Sequence, residues 1–315
     1  MPGPSPPGDP PPPPSRIGRR PSDTLEHAVV PPPSRRPTRA RRLVYGLLAL
    51  VVIPFAWWLV QRPSNDRDWM PNMAVLPYAA LDDSLVRVHN VRFTEYVSTD
   101  EYTPRHDDRT YDLTKLDAVW FVVEPFSKWR GVAHTFLTFG FGGEDFVSIS
   151  VEARKERGER YHFLKGLFRQ YELMYVVADE RDAIGFRANV RGDDVFLYPI
   201  RAPVPRVREL FVAMLDRANA LREQPRFYNT LFANCTNAIV QHVNTLAPSR
   251  IPFSYKVLLP GYADELAYDL GLIDTDLSFE AARQRFRVND VAARYAGHGA
   301  FSAAIRSGLD GASRR

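Results

Sequence analysis

The stretch VAHTFLTFGFGGEDFVSISVEARKE, residues 132–156, decides the fold. Both halves are rich in β-branched and aromatic residues, and Gly142-Gly143-Glu144 stands between them, the pattern of two strands joined by a tight glycine turn. If the turn is those three residues, positions facing each other across the hairpin sum to 286. His134 then lies opposite Glu152, with Ser150 and Ser148 further along the same face. A two- or four-residue turn would reverse the parity and carry Glu152 away.

Working outward, VRVHNVRFTEYV (86–97) alternates as a strand, and TYDLTKLDAVWFVVEPF (110–126) reads as a turn followed by a second, apolar strand. YELMYVVA (171–178) and DDVFLYPI (193–200) are further strand candidates. The period then changes. VPRVRELFVAMLDRANALREQ (204–224) carries Leu210, Met214, Ala218 and Leu221 at helical spacing, with a proline in its first turn. An Asn-rich turn leads into a helix from about Cys235 to Leu246, stopped by Pro248. ADELAYDLGLI (263–273) and SFEAARQRFRVNDVAARYA (278–296) are helical stretches, Gly271 ends the first of them, and the last dozen residues are expected to fray. The expectation is an α+β domain: an antiparallel sheet packed by helices that come mostly later, preceded by one transmembrane helix.

That membrane segment is LVYGLLALVVIPFAWWLV, residues 43–60, without a charge. At about 1.5 Å per residue it covers about 27 Å, close to a hydrocarbon core of roughly 30 Å. Pro54 is tolerated in a membrane helix, and Trp57 and Trp58 suit the interface. A cleaved signal peptide would have a short basic start and a small-residue cleavage site, whereas this run follows 42 residues and ends in bulky ones. Five arginines (35, 36, 39, 41, 42) precede it, against Arg62 and Arg67 after it. The positive-inside bias therefore predicts a cytoplasmic N-terminus and a periplasmic C-terminal part, in a bacterial inner membrane. The first 42 residues hold 14 of the 27 prolines and are expected to be a disordered Pro/Arg-rich tail, with Pro10 to Pro14 a stiff polyproline stretch. Residues 62–75 read as a linker, and 76–310 as the folded domain. Net charge is +4, but past residue 66 acids and bases interleave, which excludes a dedicated nucleic-acid face.

A single cysteine cannot form an intrachain disulfide. Cys235 follows Asn234 at a helix start, where unpaired amides and the helix dipole stabilise a thiolate. The alternative is an inert buried thiol, the commoner fate of a lone cysteine. A nucleophilic thiol needs a base held by a third group. Of seven histidines, His27 lies before the membrane span, and His89, His106, His162 and His298 lie in polar or loop-like surroundings. His242 is seven residues beyond Cys235, about 10 Å along the helix and too far for direct transfer. His134 opens an apolar strand, an unusual place for a titratable ring that faces no site. Glu152 or Ser150 would orient it; otherwise Glu152 is a surface carboxylate paired with Arg154. Asn234 and Tyr228 are candidate supports for an oxyanion, and Arg154, Arg169 and Arg187 candidate substrate-binding cations. No metal or other cofactor is expected, since no ligand spacing accompanies the lone thiol.

HNVRFTEYV, TYDLTKLDAVWF, HTFLTFGF, SISVEARKERGERY, GLFRQYELMYVVADERD, RFYNTLFANCTNAI and LPGYADELAYDLGLI, in that order over about residues 80–275, resemble the Lnb N-terminal periplasmic domain family. That family is similar to permuted papain-like, NlpC-type cysteine enzymes and to lecithin–retinol acyltransferase, in which a strand histidine precedes a helix cysteine. The resemblance implies Cys235 as nucleophile, His134 as base and Glu152 as the acidic position. It also implies acyl transfer through a thioester, as in the lipoprotein N-acyltransferases of the family. The chain departs from them in having Thr-Asn after the cysteine and one membrane helix before the domain. Membrane lipid, and a lipoprotein or cell-wall peptide, are the implied partners. The competing expectations are a thiol hydrolase or amidase using the same residues, and a non-catalytic envelope binding module.

Overall fold

The structure, a computed structural model, describes residues 3, 8–11, 38–247 and 250–309. The expected disordered tail falls for the most part outside these, including residues 12–14 of the polyproline run. The chain divides into two compact units, Met1–Ile53 and Pro54–Arg315. Helix α1 (Arg39–Val60) includes Pro54 without breaking and buries none of its residues. It starts four residues earlier than the apolar run because arginines are good helix formers. It is the one helix among the described residues long and apolar enough to cross a membrane.

The second unit is a mixed α+β fold around a sheet. Its strands are β1 (Tyr78–Asp82), β2 (Leu85–Arg92), β5 (His106–Asp112), β6 (Leu116–Pro125), β7 (Ala133–Phe141), β8 (Asp145–Arg154), β9 (Glu172–Ala178) and β10 (Phe196–Pro199). Two short strands, β3 (Glu95–Tyr96) and β4 (Tyr102–Thr103), form a separate ribbon. The sheet runs β1-β2-β9-β8-β7-β6-β10, with β5 also on β2. All pairings are antiparallel except β2 with β9, which meet in parallel through Arg92 and Ala178. The central hairpin has the expected three-residue turn. Gly142 and Gly143 both take positive φ, +64° and +75°, which a side chain would strain. Phe141 faces Asp145 and Phe136 faces Ser150, so the facing positions do sum to 286.

Both faces of the sheet are covered, which is why β7 and β9 are buried along nearly their whole length without polar alternation. On one face Leu137, Phe139, Ile149 and Tyr175 pack with α3 (Val204–Glu223) and α4 (Cys235–Leu246). On the other, Phe136, Val122, Met174 and Val176 pack with Ala183, Ile184 and Ala188 of a π-helix, Arg181–Arg191. Each fully buried large side chain stabilises by about 1.5–3 kcal/mol. Short helices complete the unit: α2 (Phe163–Leu167), α5 (Tyr255–Leu258), α6 (Ala263–Asp269), α7 (Phe279–Phe286), α8 (Asn289–Arg294) and α9 (Phe301–Ala304).

Two expectations are corrected. The chain end does not fray as far as position 309: Ile305 is buried in the second core, and the guanidinium of Arg306 donates to both oxygens of buried Glu180. Residues 62–75 are no free linker. Asn65 donates to the carbonyls at the end of α3, and Trp69 Nε1 donates back to Asn65. Arg154 closes the clamp, stacking on Trp69 at 4.1 Å and donating to the Met73 and Ala74 carbonyls and to Asn65 Oδ1. Its guanidinium is satisfied inside the domain, which removes it as a substrate contact and as the partner of Glu152.

Arg154→Ala leaves two carbonyls and an amide oxygen of this clamp without their donor. The expected loss is about 3 kcal/mol by urea titration, with rapid protease cleavage within 62–75; unchanged cleavage there would mean that the segment is not held by Arg154.

Candidate active site

The thiol, the imidazole and the carboxylate come from three elements that meet at one pocket. Asn234 caps α4: its side chain accepts from the Asn237 amide at 2.8 Å and donates to the Thr230 carbonyl at 2.7 Å. This holds Cys235 at the first helical position, buried but lining a cavity of about 360 Å³ together with His134, Glu152, Tyr161, Tyr228 and Trp129. The Asn234 side chain thus caps the helix with its oxygen and one of its two N–H donors, and it lines the cavity beside Cys235.

His134 sits between two carboxylates. Glu124 of β6 is its register partner on one side, and Glu152 stands across the β8 pairing on the other. His134 Nε2 is 2.6 Å from Ser150 Oγ and 3.4 Å from Glu152 Oε1. Ser150 donates its own proton to Glu152 Oε1 at 2.9 Å. It can therefore only accept from the ring, which fixes the proton on Nε2 of a neutral imidazole and leaves Nδ1 for the thiol. Both proposed orienting groups, Glu152 and Ser150, act together.

The charges reinforce this order. Burial opposes an imidazolium at His134, but Glu152, and then the Cys235 thiolate, outweigh it and raise its pKa to about 10. Burial likewise opposes the thiolate, yet His134 and the Thr135 hydroxyl and amide bring Cys235 below an ordinary thiol. Glu152 lies well below the usual carboxylate range despite burial, held there by His134 and then Arg187. The thiol and imidazole are coupled by charge, and Sγ also lies 4.0 Å from Thr236 Oγ1.

Arg187 is the residue whose role changes most. It is buried, donates from Nε to Glu124 at 2.6 Å and from Nη2 to Glu152 at 2.9 Å, and returns Nη1 to the Ala183 carbonyl. It positions the carboxylates instead of meeting a substrate. Arg169 lies outside the pocket, stacked 3.9 Å over Trp58. So none of the three arginines singled out from sequence is a free cation in the site. Tyr228 is buried in the pocket wall, edge-on to Tyr161, and burial, then the Cys235 charge, raise its pKa, so it stays a neutral donor. His242 is bonded to Tyr175 at 2.8 Å, with its pKa lowered to about 4 by burial and Arg217. It takes no part.

Sequence reading missed Glu124 and the π-helix that carries Arg187. The available signal was a glutamate closing the apolar run VWFVVE, a residue type seldom buried without a cation.

A family model described as the Lnb N-terminal periplasmic domain matches residues 102–261, half of the chain and the whole of this constellation. No curated protein and no solved structure matches the chain.

The thiolate–imidazolium pair should persist from below the ordinary thiol pKa up to about pH 10, where the imidazolium is lost. Carbamidomethylation of Cys235 against pH is expected to show a midpoint below that of a free thiol. His134→Ala should move it up by roughly one to three units, the effect of losing a nearby opposite charge, and Glu152→Gln should move it in the same direction. Identical midpoints in all three proteins would remove the coupling.

Proposed function

The chain belongs to the Lnb N-terminal periplasmic domain family, and from that premise we propose that it is a membrane-anchored cell-envelope enzyme that transfers an acyl group through a thioester on Cys235. The observation that carries the reading is a thiol, an imidazole and a carboxylate lining one cavity, with the Ser150 hydroxyl joining the imidazole to the carboxylate. The order of histidine strand before cysteine helix fits a permuted papain-like, NlpC-type arrangement. His134 lies on the sheet and Cys235 at a helix N-terminus, as that arrangement requires.

In the proposed reaction, Nδ1 of His134 accepts the thiol proton and Sγ attacks an ester or amide carbonyl. Glu152 and Ser150 keep the ring oriented and stabilise the imidazolium. The negative oxygen of the tetrahedral intermediate is met by the Cys235 amide in the first turn of α4, with the Tyr228 hydroxyl as second donor. Each such donor contributes about 3 kcal/mol to the barrier. The imidazolium returns its proton to the leaving oxygen or nitrogen as the intermediate collapses and the C–O or C–N bond breaks, leaving the thioester. An amine or water then releases the acyl group, and which of the two does so separates a transferase from a hydrolase. A cavity with a charged floor and an aromatic wall at Trp129, Phe126 and Phe163 suits a substrate with an apolar part, such as a membrane lipid or a lipoprotein terminus. The arginines before α1 favour a cytoplasmic N-terminus and a periplasmic domain at the inner membrane.

Intact-mass measurement of the full chain extracted from its own membrane should show an added acyl mass at residue 235, removed by neutral hydroxylamine and absent from Cys235→Ala. His134→Ala is expected to slow loading about 10²–10⁴-fold. Wild-type protein that never carries an adduct, even after incubation with labelled phospholipid and lipoprotein, would overturn the thioester reading.

A further inference from the structure

A second cavity, of about 350 Å³, lies on the α4 side of the sheet and is separate from the thiol pocket. One wall is the α4 stripe Thr236, Ile239, Val240, Val243 and Leu246, spaced i, i+3, i+4, i+7 and i+10 as one helix face. The opposite walls are the sheet (Phe121, Leu137) and α6 with the turn after it (Leu266, Leu270). Ten residues of helix rise make it about 15 Å long. Its inner end is closed by Thr236, whose hydroxyl bonds to Thr135 at 2.9 Å and so stands between this space and the thiol pocket. Protein interiors are close-packed, and an apolar space of this size is far larger than ordinary packing voids. An apolar, elongated space takes an apolar, elongated occupant.

The polar part of the lining is different in character. Arg201, Arg206 and Arg250 border the cavity, all three exposed, and among the described residues no carboxylate lines it. Arg201 pairs with Asp274 at 2.7 Å and Arg206 with Glu209 at 2.6 Å, both on the surface. Exposed pairs of this kind contribute little and exchange readily, so an arriving anion can take the place of either carboxylate. Burying methylenes supplies affinity, and the guanidinium fork supplies orientation toward a carboxylate or phosphate.

We propose that this cavity binds one straight acyl chain bearing an anionic head, with the chain along α4 ending behind Thr236 and the head at Arg201, Arg206 and Arg250. The site does not depend on the chemistry of Cys235, since the Thr135–Thr236 pair separates the two spaces.

The test uses the full chain in native membranes and three photoreactive diazirine probes of equal chain length. These are a fatty acid, a monoacylglycerol phosphate and an uncharged monoacylglycerol. Peptide mapping should place the adduct within 236–247 or 263–272, with the acidic probes labelling at least about tenfold more than the neutral one, a difference worth about 1.4 kcal/mol. The stronger of the two acidic probes identifies the head as carboxylate or phosphate. Val243→Trp fills the cavity and should abolish the label, while Arg206→Glu with Arg250→Glu should lower it. Cys235→Ala should keep it, so that failure of the thioester reading leaves this result standing. An unchanged carbamidomethylation midpoint at Cys235 certifies that Val243→Trp is folded; Leu246→Trp, nearer the mouth, replaces it otherwise. Label confined to residues 43–60, label that survives both tryptophans, or equal labelling by the neutral probe would overturn the proposal.

Discussion

The site depends on one buried arginine. Glu124, His134 and Glu152 lie side by side on three adjacent strands in the middle of a covered sheet, where two carboxylates cannot remain charged unaided. Arg187 bonds to both. Isolated ions in such surroundings cost several kcal/mol each, and a paired ion left without its partner costs about 3–5 kcal/mol. The arrangement is therefore all or nothing. Its charges are justified only as a set, and the set ends on the imidazole that faces the thiol.

The two layers divide the work. The π-helix layer supplies charge: Arg187 for the carboxylates, and Asp182, which accepts from Arg92 at 2.9 and 2.7 Å and from the Thr94 amide. The α4 layer supplies the Cys235 thiol and the apolar packing behind it. The strand alternation of β7 connects them, since Thr135 and Leu137 face α4 while Phe136 faces the π-helix. His134 lies at the open end of that strand, beside the cavity, where a ring belonging to the charged layer still reaches a thiol belonging to the other. Further along the strand the sheet itself would separate them.

How much of this was legible follows from the range of the interactions. The hairpin register was readable because turn length and strand period are local, and Gly142-Gly143-Glu144 fixed both; this alone set Glu152 opposite His134. The start of α4 was readable because an N-cap asparagine is a local signal. Arg187 was not, because its partners lie 63 and 35 residues away and its own helix has neither α period nor apolar stripe. Arg154 failed for the same reason: its stack on Trp69 joins the sheet to a segment that composition marks only as polar. Local patterns brought Cys235 and His134 to notice, whereas the cation that holds the neighbouring carboxylates answers to tertiary geometry.

The walls of the thiol pocket are set by backbone more than by rotamers. A Cβ on Gly261 would run into the Arg130 carbonyl, so the turn before α6 lies directly against the 129–131 loop that carries Trp129 into the cavity wall. A Cβ on Gly166 would strike Thr230 Oγ1, and Thr230 is the residue whose carbonyl holds the Asn234 cap. Each close approach thus links a wall of the cavity to the placement of Cys235. A pocket bounded in this way has little freedom to close around a small substrate by moving side chains. Its size and shape are instead set in advance by the backbone that walls it.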